Sequence, residues 1–490
     1  MEKEDVEYLI EEANKLYSQA KIEKNEDLFR KAFYKYEKAT LKEPGNPWPF
    51  VEWGDALCEL AKMEQYESLF EDEFKKYKEI IPPDLKDHWF FFRLGIIFAD
   101  LAKIKQKDSL YDEATKNFKE SRKDILEILT FLDYENRKEI MKRESFYLLL
   151  DSDNNDTFFE KTIKKFTQEQ DITSEQVYEY KKIYIRSIFI ISLLHINNEN
   201  EKFVAYYREK NISQKLLFNI DSKFRLNAIN YSNDPTEGKT LLDFLYGKGK
   251  YKTEEELNNK EYEAFAGCFT FNYDSLNQFR LYGKEDGKEG TGLSLVFKDS
   301  FFSTEAKMSI GSPEKNLLMN DNRSPLYRCI YLDPDPKTKQ PVATVGQKEE
   351  YLFYREEIGD KFKSYSAYIN EILKLVREEM NELKKQAEKL NSIIVGQLLI
   401  NLRYLVKHVA FKEEQECRIV KILNLTKDEE NLEAEKDFNR MYFKYLSKVS
   451  DYIDKIYFGP KTEGYELFKS MLKYNGLNDI KCEKSTNPLA

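Results

Sequence analysis

The pattern of apolar and polar positions divides the chain into two unlike stretches. Up to about residue 195, apolar residues recur at helical spacing, beginning with the acidic and amphipathic MEKEDVEYLIEEANKLY. That period predicts a succession of helices. Beyond about residue 200 it gives way to short strand-like runs: KFVAYY, FRLNAIN, AFAGCFTF, GTGLSLVF, YRCIYL, CRIVKIL and YIDKIYFG. Helices alternate with these runs, including a long charged one over roughly 350–390. The pattern predicts an all-α helical repeat domain over 1–198, then an α+β domain over 199–490 with a helical insertion at about 346–408.

Within the first stretch, PWPFVEWGDALCELAKM from Pro47 superimposes without gaps on HWFFFRLGIIFADLAKI from His88, an offset of 41 residues. Trp48 then matches Trp89, Gly54 matches Gly95, and Leu57 matches Phe98. Multiples of the same offset link Ala32 to Ala114 and run Tyr36, Tyr77, Phe118. Self-similarity at this period signals stacked helical hairpins. The order Ala32, Tyr36, Ala39, Pro44, Gly54 and Leu57 resembles the tetratricopeptide repeat, over roughly residues 10–125. The resemblance implies a solenoid whose concave surface takes a peptide or partner protein. Asp151–Thr157, DSDNNDT, lacks the glycine and terminal glutamate of a calcium loop and reads as a turn.

Composition narrows the classes further. Charged residues make up 34% and aromatic residues 14%, which excludes a disordered chain. A net charge of −10 argues against a broad basic surface for nucleic acid. No signal peptide or membrane-spanning run is visible, and the apolar run Ile183–Leu194 is broken by Arg186. Cys58, Cys268, Cys329, Cys417 and Cys482 form no CxxC pair, and His88, His195 and His408 are the only histidines. A disulfide framework or a zinc centre is therefore not expected, and a reduced, cytoplasmic setting is.

The candidate chemistry lies in three later blocks. Phe224–Gly238 (FRLNAINYSNDPTEG) sets a dense polar turn after a strand, Cys268–Gly283 reads CFTFNYDSLNQFRLYG, and Phe411–Ile422 reads FKEEQECRIVKI. Asn233-Asp234-Pro235 reads first as an Asx turn before a helix starting near Thr236. Glu414 and Glu416 stand two apart and would share one face of an extended strand. Glu416 and Arg418 would also suit a same-face ion pair, and Arg280 a tether to Asp274 or Glu237. Gly283–Gly292 reads as a hairpin loop, and His408 as a satisfied partner near a helix end.

With AYYREKN (Ala205–Asn211), TGLSLVF (Thr291–Phe297) and IDKIYFGPK (Ile453–Lys461), these blocks resemble the bacterial family called domain of unknown function number 2971, over about 200–490. Members look like effectors of antiviral defence, and the block order is similar to that of ADP-ribosyltransferases. The resemblance implies NAD as substrate, with Tyr206, Tyr207 and Arg208 on the adenosine side. It further implies Tyr231, Ser232, Asn233 and Asp234 around nicotinamide, Arg280 on the pyrophosphate, and Glu414 and Glu416 as the catalytic carboxylates. The acceptor would be a protein or nucleic acid. AYYRE and YSNDP depart from the best-known transferase patterns, which carry His or Arg first and a Ser-Thr-Ser-like second block. Two other functions stay open: a metal-dependent nuclease or hydrolase using Asp234, Glu237, Glu414 and Glu416, and a non-enzymatic scaffold.

Overall fold

The computed structural model describes residues 5–81, 88–121, 136, 140, 157–169, 172–196, 204–219, 221–229, 234, 236–252, 262–303, 323–335, 337, 341–347, 365–425, 431–435 and 440–488. The chain forms two compact units, Met1–Asn155 and Asp156–Ala490. The turn cluster at 151–156 and the start of the charged helix, at 350–364, lie outside the described residues.

The described residues of the first unit form helices: α1 Val6–Glu23, α2 Glu26–Lys42, α3 Trp48–Ala61, α4 Glu67–Ile80, α5 His88–Lys105 and α6 Asp108–Ser121. Asp5 and Asn25 cap the first two helices by accepting from backbone N–H groups one to three residues on. The apolar stripes meet through aromatic rings, Tyr17 on Phe29 at 5.3 Å and Trp53 on Tyr77 at 5.5 Å. The 41-residue relation recurs in the packing. A methyl group on Gly54 would stand 2.6 Å from Ile97 Cδ1 and 2.8 Å from the Tyr77 hydroxyl, and one on Gly95 would overlap the ring of Phe118. Both helices thus need a side-chain-free position where an aromatic residue of the following helix crosses.

The second unit begins earlier than the change of period at residue 198 indicates. The helix Ser174–Leu194 packs on the helix Tyr365–Ala387 of the same unit. Arg186 is buried there against Glu379, with Gln386 accepting from its Nε at 3.3 Å. A buried guanidinium holds its helix to the segment that carries the carboxylate, whatever the helical period around it.

The strands of this unit are β1 Val204–Arg208, β2 Arg225–Ala228, β3 Tyr262–Thr270, β4 Leu293–Phe297, β5 Tyr327–Arg328, β6 Ile330–Leu332, β7 Val342–Val345, β8 Val406–His408, β9 Glu416–Asn424, β10 Leu432–Ala434, β11 Met441–Lys444, β12 Ile453–Phe458 and β13 Lys481–Lys484. Ten form one sheet in the order β10-β11-β2-β3-β1-β4-β12-β13, with β9 on β3 and β5 on β9; β7-β6-β8 form a second. All seven strand-like runs therefore contain strand. After the long helix, two short helices, Ser392–Leu398 and Ile400–Arg403, lead into β8, and a 3-10 turn at Val409–Glu414 joins β8 to β9. Among the described residues no helix is long and apolar enough to cross a membrane.

Alternation along β3 and β9 separates two environments. Phe265, Phe269, Cys417, Ile419 and Leu423 join Leu226, Phe297 and Phe301 in an apolar core. The intervening residues face the other way, where the register opposes Cys268 to Arg418 and Thr270 to Glu416.

Candidate functional site

β1 and β2 share one edge of β3. β2 pairs at Phe265 and Ala266, and β1 pairs at Thr270. Between those points the edge of β3 opens around Cys268. A cavity of about 300 Å³ lies there, lined by residues of β1, β2, β3, β9, the Asp234–Glu237 turn, Tyr282, Lys407 and Arg440.

The carboxylates meet in this cavity by a route the strand pattern does not give. Glu414 ends the 3-10 turn, and Gln415 takes a left-handed backbone with φ 46° before β9 starts at Glu416. A non-glycine residue holds that conformation only under strong local constraint. Here the Gln415 side chain supplies it, donating to the Lys412 carbonyl at 2.9 Å and accepting from the Gln347 backbone at 2.9 Å. The left-handed turn lets both glutamates reach one ammonium: Lys407 Nζ stands 2.5 Å from Glu414 Oε2 and 2.6 Å from Glu416 Oε2. The shared-face expectation gives the right convergence for the wrong backbone.

The remaining contacts close a buried lattice. Arg418 Nε donates to Glu416 Oε1 at 2.6 Å, and its Nη1 pairs with Glu237 and with the Tyr404 carbonyl. Tyr282 donates to Glu414 Oε1 at 2.7 Å, and the Glu416 backbone N–H donates to the Tyr331 hydroxyl at 2.8 Å. β8 of the small sheet carries Lys407 and β6 carries Tyr331, so the lattice sits where the two sheets meet. Gly346 backs it: a methyl group there would overlap the Glu416 carbonyl.

Burial alone would raise the Glu416 carboxyl, but Arg418 and Lys407 overcome it and hold the group well below the carboxylate range. Burial would lower the Arg418 guanidinium, and Glu237 and Glu416 instead raise it. Burial would likewise lower the Lys407 ammonium, and Glu416, Glu414 and Glu237 together raise it instead. The Tyr282 phenol is raised by burial and then by Glu414. Glu416 is thus a fixed anion and a poor proton acceptor, suited to electrostatics rather than proton abstraction. The Cys268 thiol is reached by solvent through the cavity, yet its enclosure and Glu416 raise its pKa, so it is not poised as a thiolate.

The structure brings together Tyr206, Tyr207, Arg208, Asp234, Glu414 and Glu416 around this one cavity. Tyr206 packs between Phe224 and Phe269, at 4.9 and 5.8 Å, and accepts from Arg208 Nε at 2.5 Å. Tyr207 is buried and pins the loop after β3, donating to the Asn272 carbonyl and accepting from Ser275 N–H. Asp234 makes the expected Asx turn through Thr236 N–H at 2.8 Å, although the helix itself starts later, at Thr240. Tyr231, Ser232 and Asn233 lie outside the described residues.

Arg280 does not reach the pyrophosphate position implied for it: it lies in a helix, Leu276–Leu281, on the surface and outside the cavity lining. It pairs at 2.9 Å with Glu289 rather than with Asp274 or Glu237. His408 accepts from Ala410 N–H, and Glu285 bridges Lys288 across the glycine loop, as read from the sequence.

Lys407, Tyr282, Tyr331 and Arg440 escape the sequence reading. Lys407 sits nine residues before Glu416 in a three-residue strand, too short for a period to register. Among the described residues no trio of His, Cys, Asp and Glu is arranged to hold a metal ion. Glu237, Glu414 and Glu416 are each engaged by Arg418 or Lys407, an arrangement for charge neutralisation rather than metal ligation. Comparison with family models, curated proteins and solved structures gives no match.

Proposed function

We propose that the second unit is an ADP-ribosyltransferase-like effector domain that takes NAD as substrate and modifies a macromolecular target. The helical unit, read as a tetratricopeptide-like solenoid, senses a partner, and the whole serves in antiviral defence. One observation carries the reading of the domain. Four blocks separated by up to about two hundred residues of sequence supply Arg208, Asp234, Cys268 and Glu416 to a single cavity. A cleft of this volume, with aromatic, cationic and anionic walls, suits part of a dinucleotide.

In the proposed reaction the bond between ribose C1′ and the nicotinamide nitrogen breaks and nicotinamide leaves with the bonding pair. The acceptor then bonds C1′ and loses a proton. Glu416, held ionised by Lys407 and Arg418, would accept from a ribose hydroxyl and offset the positive charge that develops at the sugar. Glu414, which carries the Tyr282 hydroxyl, would face the acceptor. Glu237 and Lys407 position these groups and do not react.

The test incubates the full chain with NAD labelled on its adenylate and with cell extract, comparing wild type with Glu416→Gln. Label transfer and nicotinamide release by wild type, lost in the variant, support the reading. Absence of both from wild type in every extract overturns it. Support for the solenoid comes from the repeated Gly54–Tyr77 and Gly95–Phe118 contacts, and a partner captured by residues 1–155 within the full chain would test its sensing role.

A further inference from the structure

The cations of the cavity fall into two sets. Lys407 and Arg418 are deep and fully engaged by Glu414, Glu416, Glu237 and the Tyr404 carbonyl. Arg208 and Arg440 line the same cavity from β1 and from the residue preceding β11, and among the described residues neither has a carboxylate partner. Two exposed arginines of this unit do: Arg225 stands 3.8 Å from Glu435 and Arg280 2.9 Å from Glu289.

Arg208 is also held in place. Its guanidinium lies over the Tyr206 ring, 5.0 Å from the centroid, and its Nε is spent on the Tyr206 hydroxyl. Tyr206 is itself fixed by Phe224 and Phe269. The orientation leaves both terminal amino groups of Arg208 for a further acceptor, the fork that planar anions match. Arg440 lies beside Met441 on the neighbouring edge, since β11 pairs with β2 and β2 with β3. Two guanidinium groups on one cleft repel each other until an anion joins them.

We propose that Arg208 and Arg440 form a clamp for the phosphate groups of a nucleotide-type ligand, with the buried Glu–Lys–Glu–Arg lattice reserved for its sugar end. The clamp rests on the nucleotide reading of the cavity given above, and it moves the phosphate contact from Arg280, which does not line the cavity, to Arg440, which no sequence block contains.

Isothermal titration of the full chain with ADP-ribose, inorganic pyrophosphate and adenosine tests it. Wild type binds ADP-ribose, pyrophosphate competes, and adenosine binds more weakly. Arg440→Gln and Arg208→Gln each weaken ADP-ribose binding by about tenfold and leave adenosine unchanged, because only charge-assisted contacts are lost. Arg440 is exposed, so Arg440→Gln keeps the wild-type melting transition and guards against a folding artefact. Unchanged ADP-ribose affinity in Arg440→Gln, or binding of none of the three probes by wild type, overturns the clamp. The two proposals fail separately. Arginine-dependent ADP-ribose binding without consumption of NAD removes the transferase and keeps the clamp. NAD consumption at wild-type KM in both arginine variants does the reverse.

Discussion

The two units handle charge in opposite ways. Residues 1–155 carry 26 Lys and Arg against 35 Asp and Glu, a formal −9, while residues 156–490 carry 52 against 53. Yet the nearly neutral unit is the one that buries charges in a connected lattice. Ion pairs of the first unit such as Lys21–Glu59 and Lys107–Glu71 are half exposed, and its interior is ring on ring. In the second, Lys407, Glu414, Glu416, Arg418 and Glu237 are all buried around a cavity. Buried charges cost desolvation energy that apolar residues of the same size would not. The second unit nevertheless keeps five of them on one cleft, whereas net charge, which marks the first unit, locates no site.

The contrast can be broken by mutation because all three tryptophans, Trp48, Trp53 and Trp89, lie in the first unit. Their fluorescence follows that unit alone, while far-ultraviolet circular dichroism follows both. The largest effect is expected for Arg418→Met, which leaves the buried Glu237 carboxylate without its cation and Glu416 with Lys407 alone, and costs about 3–5 kcal/mol. The dichroism transition in urea should move to lower denaturant with the tryptophan transition unmoved. A shift below about 1 kcal/mol would mean the lattice is not the closed one described.

Glu416→Gln comes next and carries a pH signature. The folded carboxyl lies below its ordinary value of 4.5, so its contribution is full above that pH and fades as pH falls through the folded value. Wild type should exceed the variant most at neutral pH, and the gap should narrow under acid unfolding below 4.5. A gap constant with pH would contradict an ionised, paired Glu416.

Gly95→Ala should cost about 1–3 kcal/mol by overlap with the Phe118 ring, and now the tryptophan transition moves. Indifference to the methyl group would remove the repeated helix crossing. The smallest change is expected for Lys21→Gln, whose half-exposed pair with Glu59 contributes less than about 0.5 kcal/mol and less still in high salt. A loss comparable with that of Arg418→Met would erase the distinction between the units.

Much of this was legible along the chain. Short strand-like runs marked β1, β2, β3, β4, β9 and β12, being rich in the apolar, β-branched and aromatic residues that suit a pleated sheet. The 41-residue offset marked α3 and α5 as equivalent, since each needs its glycine at the same crossing. The helix that carries Arg280 away from the cavity was not legible, because six residues between loops carry too little period to register. The early start of the second unit was hidden as well. The helix Ser174–Leu194 has the same apolar period as the helices before it, and its buried Arg186 reads as a mere interruption until Glu379 is found beside it.

The sequence by itself determined the order of elements, the all-α and α+β character of the two parts, and the blocks that supply the cavity. These follow from local spacing, which neighbouring residues enforce. Tertiary structure decided which cations meet which carboxylates. Glu414 and Glu416 converge only through the left-handed Gln415, Lys407 arrives on a three-residue strand of another sheet, and Arg440 reaches the cavity while Arg280 turns away. Such pairings depend on where strand edges open and chains cross, and no local period encodes that.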